Sequence, residues 1–99
     1  MTRFHVHRIG NDGSLALDVQ SNLLDALTTR VVVPLAPLGD VATQIPHLNP
    51  RFTVDGEGFA MLTQFISTVP ASEIGPSIAN LSHKADEITA ATDFLFQGF

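Results

Sequence analysis

The sequence predicts an α+β fold, a mostly antiparallel β-sheet followed by one C-terminal helix. Two hairpin patterns and one amphipathic run predict it. Residues 4–9 and 14–20 alternate apolar and polar about the turn Gly10-Asn11-Asp12-Gly13. Residues 52–54 and 59–65 do so about Asp55-Gly56-Glu57-Gly58. Residues 81–99 carry the helical period instead.

In the first hairpin, Phe4 and Val6 are expected on one face, with His5 and His7 on a solvent-facing side. On the return strand Leu15, Leu17 and Val19 point inward and Ala16, Asp18 and Gln20 outward. Residues 21–29 read as a polar loop carrying Leu23 and Leu24, packed beneath it or offered as an interaction surface. Arg30-Val31-Val32-Val33 is β-branched and suits a central strand, stopped by Pro34 and Pro37. Pro46 and Pro50 preclude a long helix over 39–50. On the second return, Phe59, Met61, Thr63 and Phe65 share a side, opposite Ala60, Leu62 and Gln64. Residues 66–69 continue extended to Pro70, and 71–80 form a short connector through Gly75-Pro76.

The helix over 81–99, of about four turns, has Ser82 as expected N-cap and Asp86 and Glu87 at its positive end. Leu81, Ala85, Ile88, Thr92, Leu95 and Phe99 form its apolar stripe, and Asp86, Ala90, Asp93 and Gln97 lie opposite. Phe94 falls off the stripe, as a lone exposed aromatic or part of a second partner surface. The ending Phe96-Gln97-Gly98-Phe99 is apolar, so it is expected to dock or to meet a partner.

Composition narrows the function. The 99 residues make one domain, 1–99, with 44% hydrophobic and 15% charged residues. So little charge on a small chain suggests a homo-oligomer that hides apolar surface. The net charge of −5, with scattered basic residues, argues against direct nucleic-acid binding. There is no cysteine, hence no disulfide, thiolate metal site or Cys nucleophile. No signal peptide or membrane-length apolar run is present, and a cytoplasmic location is expected.

Candidate chemistry is sparse. His5 and His7, two apart on a strand, could share a metal, but no third ligand is fixed near them; no metal and no cofactor is expected. His83 can bond backbone or Asp86. No nucleophile elbow, phosphate-binding glycine loop or acid–base carboxylate pair is present. Thr28-Thr29-Arg30 would suit a ribonuclease, but reads more readily as a turn leading into a strand. These residues describe a protein that is not an enzyme and acts by binding a macromolecule, with the C-terminal helix as its leading surface.

Several short motifs in register resemble the CcdB family of toxins over essentially the whole chain. They are Asp18-Val19-Gln20-Ser21, Leu23-Leu24-Asp25, Arg30, Val33-Pro34-Leu35-Ala36, Leu48, Pro50, Phe59, Met61 and Thr63. Val69-Pro70, Ile74-Gly75, Leu81-Ser82-His83 and an ending of Phe96, any residue, Gly98 and an apolar residue continue the series. The resemblance implies a homodimer with a barrel-like antiparallel sheet of the SH3-like, CcdB–MazF type, a small β wing and one C-terminal helix. It implies the toxin of a type II toxin–antitoxin system that binds the DNA gyrase A subunit and traps the cleaved-DNA complex. A CcdA-type antitoxin neutralises such a toxin, and the pair represses its own operon, touching DNA only through the antitoxin.

By the same resemblance, the gyrase-binding positions are Leu23, Leu24, Asp93, Gln97, Gly98 and Phe99. Gln97 stands where the family has a Trp expected to stack on a gyrase arginine, a contribution of about 1–2 kcal/mol. Asp93 replaces an Asn, and Phe99 an Ile. Two alternatives follow: a relative that binds antitoxin but not gyrase, motivated by Gln97, and a MazF-type mRNA endoribonuclease, which needs a basic groove.

Overall fold

The computed structural model describes residues 2–99. It is a curled antiparallel half-barrel sheet with one C-terminal helix, as the α+β prediction requires. The strands are β1 His5–Ile9, β2 Ser14–Asp18, β3 Thr29–Pro37, β4 Arg51–Val54, β5 Glu57–Met61, β6 Ser67–Pro70 and β7 Ile74–Asn80, and the helix is α1 Ala85–Gln97. The sheet order is β4-β5-β3-β2-β1-β7, with β6 pairing β3. Both predicted hairpins are present: Val6 faces Leu17 across β1–β2, and Phe52 faces Phe59 across β4–β5.

β3 is longer than its sequence suggests, because it runs through Pro34 to Pro37. Its first half pairs β6, with Thr29 opposite Pro70 and Val32 opposite Ser67. Its second half pairs β5, with Leu35 opposite Met61. Pro34 sits where the partner changes. Its carbonyl accepts from Leu62 N–H on that edge, so its missing donor faces the junction between two partners. Beyond the second half of β3, β5 and β4 continue the same sheet to its edge.

Two other expectations are corrected. The return strand of the second hairpin ends at Met61, and Thr63–Phe65 form a 3-10 turn with Thr63 buried and Phe65 exposed. The supposed connector over 71–80 contains β7, paired with β1. Pro76 hid it. The register with β1 is irregular between His7 and Ile9, and β7 is an edge strand, the place where a sheet tolerates proline.

Val6, Leu17, Val33, Leu35, Phe52, Val54, Phe59 and Met61 fill the concave side of the sheet. Leu81, Ile88 and Ala91 close that core from the helix side. Ser82 does not cap α1. A 3-10 turn, Ser82–Lys84, intervenes, and Ser82 instead donates its N–H to Asn80 Oδ1 at 2.9 Å. Asp86 and Glu87 do occupy the first helical turn. Ile88 and Ala91 are the helix's buried residues, while Phe99 lies past the helix end and is exposed. Phe94 is half-buried, its ring centroid 6.2 Å from that of His47.

The face opposite the core is not a solvent face. His7, Ala16, Asp18 and Gln20 are all buried, against the outward assignment from alternation. Among the described residues, no helix is long and apolar enough to cross a membrane.

Ile88 is the main tie between helix and sheet. Ile88→Ala should destabilise the fold by about 2–5 kcal/mol through lost burial plus a cavity, read as a lowered urea midpoint.

Candidate functional site

The loop between β2 and β3 starts at a sharp local turn. Ser21 Oγ accepts from Leu23 N–H at 3.2 Å and caps the 3-10 turn Asn22–Leu24. That turn lifts the two leucines away from the sheet. Leu23 is 94% exposed and Leu24 about half exposed, so of the alternatives open from sequence, Leu23 is not packed under the loop.

Beneath the loop lies a buried charge cluster. Arg30 enters β3 with its side chain on the face away from the core, and Arg30 and Asp18 are both fully buried there. Arg30 Nε donates to Asp18 Oδ2 and Nη2 to Oδ1, both at 2.8 Å, a bidentate pair. Nη1 reaches Asp25 Oδ1 at 2.8 Å, and Nη2 also approaches the Gln20 carbonyl at 3.4 Å. The Asp18 hydrogen bond, then its charge, then Asp25, raise Arg30 above its ordinary value against the opposing effect of burial. A raised cation contributes stability below its unfolded pKa and loses it only as pH climbs through the folded one. Both lie far above neutrality, so this contribution is flat across physiological pH.

At the other end of the chain, α1 stops at Gly98, which takes φ +82° and donates its N–H to the Phe94 carbonyl at 2.9 Å. A Cβ there meets no neighbour, so the requirement for glycine is the left-handed backbone itself. Asp93, Gln97 and Phe99 are exposed, Phe99 at 84%.

The structure brings loop and helix end to one groove of about 420 Å³. Val19, Leu24, Leu27, Val31, Ile66 and Phe96 supply its apolar walls, and no charged residue lines it. Of the residues singled out from sequence, Leu24 lines this groove, whereas Leu23, Asp93, Gln97, Gly98 and Phe99 do not. Sequence reasoning missed Leu27, and placed Phe96, 70% exposed, in the apolar ending without assigning it to this groove. The signal for Phe96 was its place in the apolar ending; Leu27 gave none.

The histidines separate. His5 Nδ1 lies 2.8 Å from Ser77 Oγ. His7 is buried and donates from Nδ1 to the Gly75 carbonyl at 2.9 Å, leaving Nε2 without a partner. Among the described residues, no group of three or more His, Asp or Glu stands close enough to hold a metal.

By its fold this is a half-barrel α+β protein, with an uncharged groove between an exposed leucine loop and the end of its helix. The family model for CcdB protein matches residues 3–98, and the chain belongs to the CcdB family. Membership places it among the toxins of toxin–antitoxin systems.

The cluster separates two kinds of substitution. Arg30→Ala strands buried Asp18 and should cost about 3–5 kcal/mol in guanidinium unfolding, whereas Asp25→Ala, at a half-exposed partner, should cost no more than about 1 kcal/mol.

Proposed function

We propose that this chain binds the DNA gyrase A subunit and traps gyrase on cleaved DNA. In this reading it acts by binding and not by catalysis, in the cytoplasm, and a CcdA-type antitoxin neutralises it. The observation that carries the reading is the near-complete exposure of Leu23 and Phe99. Both are apolar side chains at positions that the resemblance assigns to gyrase, and each gains from burial against a partner. Gly98 agrees with it, since the glycine that the left-handed helix end requires also leaves the tip open to another backbone. The overall charge of −5 agrees with DNA contact through the antitoxin alone.

A homodimer is part of the same proposal. The groove walled by Val19, Leu27, Val31, Ile66 and Phe96 is its seat. Interface centres are depleted in charge, and an uncharged patch on a chain of net charge −5 is where two copies meet with least repulsion. Phe96→Glu should convert the dimer to a monomer in sedimentation equilibrium; an unchanged dimer moves the interface elsewhere.

The ribonuclease alternative loses its motive. Arg30, the cation it would place on phosphate, is fully buried and bound to Asp18 and Asp25. The antitoxin-only alternative keeps one specific observation, Gln97 in place of the family's aromatic.

A plasmid cleavage assay with purified gyrase and ATP separates these readings. Linear DNA with the unmodified chain is the expected result, and Phe99→Ala should then reduce gyrase affinity by about tenfold, the scale of one buried aromatic. Linear DNA only with Gln97→Trp favours the antitoxin-only form. No cleavage with either protein rejects gyrase as the target.

A further inference from the structure

Leu23 stands on a loop that hydrophobic packing does not hold. No residue from 21 to 28 is buried. Such a segment ordinarily opens at little cost. Here polar bonds secure each residue from 22 to 25. Arg3 N–H donates to Asn22 Oδ1 at 2.9 Å, and Leu23 N–H to Ser21 Oγ at 3.2 Å. Gln20 Nε2 donates to the Leu24 carbonyl at 3.1 Å. Gln20 Oε1 in turn accepts from Val31 N–H at 3.0 Å, which fixes that amide to β3. Arg30 Nη1 holds Asp25. The side chains of Leu23 and Leu24 take part in none of these bonds.

Arg30 is suited to act as a post. Its Nε and Nη2 are committed to Asp18, and Nη1 is the nitrogen aimed at the loop. Asp25 is 55% exposed in its side chain, so its bond to Arg30 adds little to global stability. Removing the Asp25 carboxylate leaves Arg30 paired with Asp18, so no buried charge is orphaned. A bond that matters little to the fold, at the foot of a loop with a bare leucine at its tip, matters for the loop's pose. A loop ordered before binding does not pay its ordering entropy on the partner.

We propose that Asp25, held by the buried Arg30, is a positioning residue that presets the 22–25 turn so that Leu23 enters an apolar site on gyrase A without reordering. This rests on the gyrase reading above. Asp25 acts through Leu23 and does not itself touch the partner.

A double-mutant cycle on the full chain tests this. The unmodified chain, Asp25→Ala, Leu23→Ala and the double variant are titrated calorimetrically against a purified fragment of the gyrase A subunit. Amide exchange at residues 22–25 is followed in parallel. Asp25→Ala should weaken binding by up to about fivefold in the parent, the scale of the about 1 kcal/mol that a half-exposed ion pair supplies, and less than about twofold once Leu23 is Ala. The Leu23, Leu24 and Asp25 amides should exchange faster, with the thermal midpoint lowered by no more than about 5 °C. Equal losses in both backgrounds make Asp25 a direct contact and overturn the proposal. Unchanged affinity despite faster exchange overturns it too, as does unchanged exchange. A parent chain that does not bind the fragment rejects the gyrase reading and the partner named here; the exchange data then decide separately whether Asp25 orders the loop.

Discussion

The Arg30–Asp18 pair is the constraint on which the loop side of the molecule depends. A guanidinium and a carboxylate, both fully buried, are expensive to desolvate, and only bidentate geometry with the remaining donors satisfied offsets that cost. The pair sits on the outer face of β2 and β3, so it cross-links adjacent strands on the side the hydrophobic core does not reach. The same guanidinium then reaches outward to Asp25, so one buried charge bonds both to the neighbouring strand and to the loop above it. Polar bonds, not buried apolar contacts, tie the loop down, and Leu23 is left almost fully exposed.

The core works under a different rule. The sheet curls, and α1 fills its concave side with Ile88 and Ala91, while Leu81 anchors the approach to the helix. A single helix covers only part of a curled sheet. What it leaves uncovered near its C-terminal end is the groove that Leu27, Val31 and Phe96 wall. Incomplete coverage of the core and the presence of an uncharged groove are the same geometric fact.

Legibility in the sequence followed how local the determining interaction was. Both hairpins were readable because turn residues and alternation lie within a few positions of each other. β7 was not, because its pairing with β1 spans most of the chain and Pro76 masks it. The end of β5 and the entry to α1 were misread because extended and helical patterns blur where a 3-10 turn joins them. Asp18 and Gln20 were assigned to solvent because alternation names a face but not what covers it. The positions proposed to bind gyrase came from family resemblance; composition and spacing alone reached no further than the expectation of a protein that binds.

The sequence by itself determined the α+β order, the hairpins, the C-terminal amphipathic helix and the family, since each rests on short-range pattern or residue identity. Only the tertiary structure decided that Arg30 and Asp18 meet in the interior and that Leu23 stands clear of everything. It also decided that Leu24 and Phe96, far apart in the sequence, border one groove. Those outcomes depend on strand order and sheet curvature, which bring distant residues together by packing that no local period encodes.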